Sequence, residues 1–491
     1  MEEIDIDIEI ENRMKLFKKY LDRSHMDHKP YQYDGVKWCL QNELGETPCG
    51  VHGGFIADEM GLGKTIMMIG LIYANFMPNT LIVLPPILID QWFAQIYKTT
   101  GHKALIFHGP NKKLIDIEHL KRAPIVLTTY GAITLSKQKI KDKNISIIHK
   151  LKWSRIIFDE AHHLRNSKTT RYLCARFLVA KSRWLVSGTP IQNKKEDFYN
   201  LCNLIRLPAS FYTNNNKLRM LTHFFILKRT KKQVGIDIAD INVDHQIVRW
   251  GSLKEMNLSE ELHSAFQFSQ VNLDNSRDKS LICGFRGNST LALLLRVRQS
   301  CIFPKMLSQK LELLHQKGLI KNYEDYKDAV NYSSKLDSVV YSILQRKGNG
   351  CGKLIFCHFR EEIDEVVDRL RRGGMYKIAK FDGRTTSKQR FEVLNEKYEA
   401  IVLQIQTGCE GLNLQENYNE IYFISPHWNP AVEDQAIARC HRIGQTKSVF
   451  VQRFEMSSFV SSNEDIDTKT IDRHVTDLQE YKRTIAKRII Q

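Results

Sequence analysis

ADEMGLGKT, Ala57 to Thr65, stands between the apolar run GGFI (53–56) and the helical run IMMIGLIYANF (66–76). Strand, glycine turn, Lys-Thr and helix together form the context that a phosphate-cradling loop requires. Gly61 and Gly63 let backbone amides approach an anion with no side chain intervening, and the helix that follows aims its N-terminal partial positive charge at the same point. In that role Lys64 neutralises β/γ-phosphate charge and Thr65 holds Mg²⁺. Asp58 occupies the place of the usual first glycine, so the stretch by itself also reads as a glycine-rich turn with an incidental lysine.

Outward from this loop, short β-rich runs alternate with helical stretches from about residue 53 to 190: GGFIAD, TLIVLP, ALIFHG, PIVLTT, RIIFDE and RWLVSG. Such alternation predicts a doubly wound parallel sheet, and the continuous apolar character of the runs fits strands covered on both faces. A second series begins near residue 353 with KLIFCHF, YKIAKFDG, AIVLQI, EIYFIS and SVFVQRF. The expected fold class is therefore α/β, with two sheet-containing lobes. Between them, over 231–334, helical spacing dominates and predicts a helical insertion or bridge. The expected boundaries are an N-terminal extension over 1–27, a first lobe over 28–230, the bridge, a second lobe over 335–465 and a basic tail over 466–491.

DEAHHLRN, Asp159 to Asn166, begins with two carboxylates directly after the apolar run Ile156, Ile157, Phe158. The carboxyl end of a buried strand is where open α/β sheets bind ligands. Asp159 is expected to hold Mg²⁺, a hard cation that takes oxygen ligands, and Glu160 to polarise the attacking water. Zinc is disfavoured, because the octet lacks the HExxH arrangement and adjacent His162 and His163 are expected to point different ways. Taken alone, the octet also reads as a solvated acidic strand end.

QAIARCHRIGQ supplies a third element. Gln435, Arg439 and Arg442 are spaced i, i+4, i+7, which predicts one face of a helix that Gly444 terminates. Arginines there can stabilise γ-phosphate charge in phosphoryl transfer, an effect worth about 10³ to 10⁵ in rate. An exposed arginine face is the bland alternative. With the loop and acidic pair in one lobe and the arginines in the other, hydrolysis is expected to be coupled to domain motion.

Composition limits the partners. Lys+Arg number 72 against 55 Asp+Glu, a formal net charge of +17, and this points to a polyanion. No apolar stretch approaches the ~20 residues needed to span a bilayer, so the chain is read as soluble, with no membrane partner. MEEIDIDIEI has neither a basic start nor an apolar core, so no secretory signal is expected. The ten cysteines include no CxxC pair, and Cys351, Cys357 and His358 read as a buried strand more simply than as a metal cluster. SKQKIKDKNISIIHKLK (136–152) and YKRTIAKRIIQ (481–491) read as solvated basic faces.

The motifs, in their order, closely resemble the Swi/Snf-type family of DNA-dependent ATPases in helicase superfamily two, from about Lys29 to Phe454. KPYQYDGVKW (29–38) is similar to the family's entry motif, DEMGLGKT to motif I, LIVLPPILIDQW (81–92) to motif Ia, IVLTTYGAI (125–133) to the next nucleic-acid contact segment, and DEAHHLRN to motif II. LVSGTPIQN (185–193) resembles motif III and ILKRTKKQV (226–234) the basic segment that follows the first lobe. KLIFCHF and FDGRT resemble motifs IV and IVa, TGCEGLNL (407–414) motif V, and WNPAVEDQAIARCHRIGQ (428–445) motif VI.

This resemblance implies two RecA-like lobes, ATP hydrolysis with Mg²⁺, and tracking along double-stranded DNA without strand separation. It implies catalysis by Lys64, Asp159, Glu160, Arg439 and Arg442; nucleotide binding by Gln32 as adenine reader with Asp58, Gly61, Gly63, Lys64, Thr65 and Gln435; and Mg²⁺ at Thr65 and Asp159. DNA contacts fall to Trp92, Thr128, Thr129, Arg384 and Thr407, and coupling to His162, Ser187, Thr189 and Gly411. Cys409 and Gln404 depart from the glycine and serine of motif V, which bears on DNA coupling more than on hydrolysis. The wording of the motifs looks most like the branch of transcript-release factors and repair translocases, and a chain this short resembles the global transactivators of large DNA viruses. Implied partners are nucleosomes or transcription complexes; no RING or histone-reader pattern is present. Nuclear location, or a cytoplasmic replication site for a viral protein, follows from the resemblance alone.

Three functions remain open on the residues: a duplex-DNA translocase that displaces or remodels protein–DNA complexes in chromatin, transcription or repair; a strand-separating helicase on RNA or DNA; and a non-catalytic DNA-binding scaffold.

Overall fold

The computed structural model describes residues 3–136, 138, 145–188, 194–271, 280–286, 289–408, 413–459 and 468–490. Two compact units result, one from Met1–Asp237 with Thr484–Gln491 and one from Ile238–Arg483.

The first unit is built on strands β1 (His52–Ile56), β2 (Thr80–Leu84), β3 (Leu105–Phe107), β4 (Ile125–Thr129), β5 (Lys152–Asp159), β6 (Val179–Val186) and β7 (Ile226–Leu227). Their order is β3-β4-β2-β5-β6-β1-β7, and every pairing is parallel. Alternate residues serve separate cores: Leu81, Val83, Ile156 and Phe158 face one side, Ile82, Leu84 and Ile157 the other. Two covered faces are why the central runs of these strands, such as LIVL in β2 and IIF in β5, are continuously apolar, since burying only one face would give an apolar/polar alternation.

The N-terminal 27 residues, expected as an extension, belong to this unit. Helix Glu3–Arg23 buries Ile10, Met14, Phe17 and Leu21 on one stripe of three- and four-residue spacing. It packs on helix Lys64–Ala74 so closely that a Cβ on Gly70 would lie 2.3 Å from the Phe17 ring. Helix Pro30–Leu44 is pinned at its far end by a fully buried ion pair, in which Arg155 of β5 donates to both Glu43 oxygens (2.6 and 2.5 Å). Trp184 Nε1 and Asn75 Nδ2 donate to the same carboxylate at 2.9 and 2.7 Å.

In the second unit, β8 (Ile241–Val248), β9 (Gly352–Cys357), β10 (Ile378–Phe381), β11 (Ala400–Gln404), β12 (Tyr418–Phe423) and β13 (Val449–Met456) form a parallel sheet ordered β10-β11-β9-β12-β13-β8. The span expected as a helical insertion or bridge, 231–334, is mostly helical and also takes part in the second sheet. It contributes the edge strand β8, which pairs with β13 along its whole length. Its helices share a core with the sheet, where Leu258, Leu293, Val297 and Leu307 join Ile355, Val402 and Tyr422. Helical periodicity was legible there, but the residues a helix packs against are set by tertiary structure.

Candidate active site

The loop after β1 is shaped by partners distant in sequence. Ala57 N–H donates to Leu227 O (2.7 Å) and Glu59 N–H to Arg229 O (2.9 Å), so the chain beyond β7 runs along the loop. Asp58 is fully buried, and its carboxylate accepts from Arg229 Nε (3.1 Å), Nη2 (2.5 Å) and backbone N–H (2.9 Å). Asp58, expected among the nucleotide contacts, faces Arg229 and supports the loop from behind. Gly61 and Gly63 both adopt the left-handed region, at φ 92° and 79°, where a side chain is disfavoured. Gly63 caps helix Lys64–Ala74, whose first residues, Lys64 and Thr65, are half-buried at its N-terminus. Gln32 lies against the loop; its Nε2 donates to Leu62 O (3.2 Å), and a Cβ on Gly63 would come within 2.3 Å of that nitrogen. Lys64 Nζ folds back onto the carbonyls of Asp58 (2.8 Å) and Glu59 (3.4 Å).

Asp159 closes β5, two strands from β1, on the same carboxyl-terminal rim. Its Oδ1 accepts from Glu160 N–H (3.0 Å), its Oδ2 from Trp92 Nε1 (2.7 Å), and its carbonyl from Tyr130 OH (2.6 Å). Burial raises this carboxyl to about 7, the Glu160 charge adds to the rise, and the bonds from Trp92 and Glu160 N–H and the charge of Lys64 oppose it. Lys64 is therefore within electrostatic reach of Asp159. Glu160 has left-handed backbone, φ 51° and ψ 49°, a conformation uncommon for any residue but glycine that turns the chain sharply after the strand. Its carboxylate lies 3.2 Å from His162 Nδ1.

His162 and His163 do not diverge as expected; their rings stack at 4.6 Å and 27°, because a 3₁₀ turn over Ala161–Leu164 replaces the extended geometry that separates neighbours. Among the described residues no cluster of His, Cys, Asp and Glu fits a metal ion of the zinc type. The oxygen donors at the rim, the Asp159 carboxylate and Thr65 hydroxyl beside an acidic neighbour and a lysine, suit Mg²⁺ with a phosphate.

The end of β6 rests on the loop. Ser187 is buried with its N–H donated to Ile56 O (3.1 Å), and a Cβ on Gly188 would lie 2.9 Å from Met60 and 3.4 Å from Lys64 Nζ. Thr189, Cys409 and Gly411 lie outside the described residues; Thr407 falls in the short helix Ile405–Gly408.

Three expected DNA contacts face inward. Trp92 is 1% exposed, on the buried stripe Ile89, Trp92, Ile96 of helix Ile89–Thr100. Thr128 is buried with its hydroxyl on Phe107 O (2.9 Å), and buried Thr129 caps the turn Tyr130–Ile133 by accepting from Ala132 N–H (3.2 Å). Thr128 and Thr129 end a strand covered on both faces and Trp92 lies on the buried side of its helix, so all three side chains are engaged within the unit. Arg384 is exposed and forks onto Asp382 (2.6 Å) and Asp364 (2.9 Å), whose charges hold its guanidinium protonated.

In the second unit the expected arginine helix stops early. Helix Pro430–Ile437 carries Gln435, which is buried, while Arg439 and Arg442 lie in the turns beyond it. Beyond Ile437 the backbone tightens, with Arg439 N–H on Ala436 O (3.1 Å) and Cys440 N–H on Ile437 O (3.0 Å), and Arg439 C=O accepts from Leu414 N–H (3.2 Å) in place of a helical partner. Gly444, at φ 95°, therefore serves a later turn and not the helix end. Burial lowers the pKa of the Arg442 guanidinium, and the charge of Arg439 lowers it further. Arg442 Nη1 donates to Asn413 Oδ1.

Sequence reasoning missed Arg229, read only as part of a basic segment, and Arg298. Arg298 is buried on helix Thr290–Ile302, and its Nη2 lies 2.8 Å from His358 Nε2 after β9, which ties the helical region to the rim of the second sheet. Two arginines close together in the apolar helical run ALLLRVRQS, of which one must share the buried stripe, are the signal that could have found it.

Comparison with known proteins places this geometry. Residues 31–306 match the SNF2-related domain model and 334–444 the helicase conserved C-terminal domain model. The probable global transactivator of Orgyia pseudotsugata multicapsid polyhedrosis virus is 28% identical over 94% of this chain and 90% of its own length. The DNA excision repair protein ERCC-6-like of Danio rerio is 26% identical over 90% of this chain but only 35% of its own, so the chain spans about a third of that relative. The Pyrococcus furiosus Hef helicase domain shares the fold at TM-score 0.52 and 16% identity, over 88% of this chain and 95% of that one. With one model covering more than half its residues and the second following in order, this chain belongs to the SNF2-related family of DNA-dependent ATPases.

Proposed function

We propose that the chain is an ATP-driven translocase on double-stranded DNA that displaces or remodels protein–DNA complexes, in the nucleus or at a viral replication site. The observation that carries this reading is the convergence, on one rim of the first sheet, of the glycine loop, Lys64 and the pair Asp159–Glu160. Gly61, Gly63 and Lys64 bind the phosphates of ATP, with Gln32 beside the loop at the base. Mg²⁺, held by Thr65 and Asp159, supplies charge neutralisation at the phosphates. Glu160, turned by its left-handed backbone, orients the attacking water and accepts its proton.

Arg439 and Arg442 are assigned to catalysis as positive charge for the γ-phosphate. The net charge of +17 favours a polyanionic track, and base-independent contacts of that kind weaken steeply with salt. Nucleosomes and transcription complexes are the proposed obstacles.

Steady-state ATP turnover measured with duplex DNA, single-stranded DNA and RNA tests the proposal. Duplex DNA stimulates turnover several-fold, while Lys64→Ala and Glu160→Gln abolish it without shifting the melting temperature. Turnover indifferent to DNA, or displacement of a labelled strand, overturns the translocase reading.

A further inference from the structure

Three segments of the first unit meet at Asp159. Its Oδ2 accepts from Trp92 Nε1 (2.7 Å) on helix Ile89–Thr100, which follows β2, and its carbonyl accepts from Tyr130 OH (2.6 Å), directly after β4. Trp92 is 1% exposed and Tyr130 3%, so both bonds are shielded from water. Neither donor competes for the other's acceptor. The tryptophan fixes the rotation of the carboxylate, and the tyrosine fixes the backbone that carries it. The helix is two-sided: Ile89, Trp92 and Ile96 are buried, while Gln91, Ala94 and Lys98 are exposed along its opposite side. A rigid helix with one side chain on the metal-binding carboxylate and the other side open connects the surface to the ATP site through a single hydrogen bond.

We propose that Trp92 is a positioning residue for Asp159, and that through this bond helix Ile89–Thr100 transmits occupancy of its open face to the metal site. Tyr130 is the backbone brace of the same device. The coupling half rests on the DNA-dependent reading above; the positioning half does not. Partners that orient a metal-ligating carboxylate typically matter by roughly 10- to 100-fold in metal affinity. An indole N–H on one carboxylate oxygen restrains Asp159 to a single orientation, with its second oxygen left to the backbone of Glu160 and a cation.

The test uses the full chain with Trp92→Phe, which keeps a buried ring and removes the N–H. A second variant carries benzothienylalanine at position 92, isosteric with tryptophan and without the donor, so that a packing defect in the first does not decide the outcome. Mn²⁺ binding is read by electron paramagnetic resonance with a non-hydrolysable ATP analogue, in the absence of turnover. Both variants bind Mn²⁺ about tenfold more weakly with unchanged metal-free nucleotide affinity. In turnover assays the Mg²⁺ concentration for half-maximal rate rises, excess Mg²⁺ restores the basal rate, and stimulation by duplex DNA stays depressed. Unchanged Mn²⁺ affinity in the isosteric variant overturns the proposal. Weakened Mn²⁺ binding with full DNA stimulation overturns its coupling half. A wild-type chain indifferent to DNA overturns the translocase reading instead and leaves the Mn²⁺ result to judge the positioning role.

Discussion

Arg229 lies across Asp58 as a fork, with Nη2 on Oδ2 at 2.5 Å and Nε on Oδ1 at 3.1 Å, although the two are separated by most of the first unit's sequence. The pair joins the chain beyond β7 to the loop that carries Gly61 and Lys64. Asp58→Gly, which restores the glycine usual at that place in phosphate loops, therefore harms the protein. Removing one partner of a buried pair costs about 3–5 kcal/mol. Urea unfolding reads that loss, and ATP affinity falls with it; a stability equal to wild type refutes the structural role of Asp58.

Glu43 accepts from Arg155, Trp184 and Asn75 with no exposure to solvent. Glu43→Ala leaves the Arg155 guanidinium buried and without its carboxylate, and lowers stability by about 3–5 kcal/mol. Glu43→Gln retains an acceptor and loses less. Because helix Pro30–Leu44 also carries Gln32, the alanine variant raises the KM for ATP before it reduces kcat.

Gly70 admits the Phe17 ring at a distance no Cβ tolerates. Gly70→Ala improves helix propensity yet destabilises the first unit by about 1–3 kcal/mol through overpacking. Phe17→Leu in the same chain recovers part of the loss, and additive effects of the two changes would show that the N-terminal helix is not seated there.

His263 is buried, donates from Nδ1 to Ser259 O (2.7 Å) and accepts Ile471 N–H on Nε2 (2.9 Å). Burial lowers its pKa to about 4, against a partial rise from the Ser259 carbonyl and Asp472. A depressed histidine contributes stability that is complete above its unfolded value near 6.5 and lost as pH falls toward 4, roughly 3 kcal/mol across that window. Denaturant midpoints between pH 7 and 4 measure the slope, which flattens in His263→Gln. An unchanged slope removes His263 from the acid response.

How much of this was legible depended on what each signal encodes. Gly61, Gly63 and Lys64 were readable because a phosphate loop needs positive-φ backbone and a lysine at fixed spacing, and φ values of 92° and 79° follow from that local requirement. Asp159 was readable because a buried strand ending in a carboxylate marks the sheet rim. The inward orientation of Trp92 and Thr128 was not legible, because membership in a motif does not say which way a side chain faces. Arg439 and Arg442 were expected on one helix that proves shorter, since the chain tightens after Ile437 and Arg439 C=O pairs with Leu414 N–H, a partner that spacing does not reveal.

The sequence by itself determined the two parallel-sheet lobes, most of their strands and the glycine-lysine pattern of the loop, but not β7 and β8, because hydrophobic runs and glycine spacing are local properties of the chain. Tertiary structure alone decided that Asp58 answers to Arg229, that Trp92 holds Asp159, and that the helical middle packs into the second unit's core. Those outcomes depend on burial and on hydrogen bonds between residues far apart in the chain, where the cost of leaving a polar group unpaired is set by neighbours that spacing does not reveal.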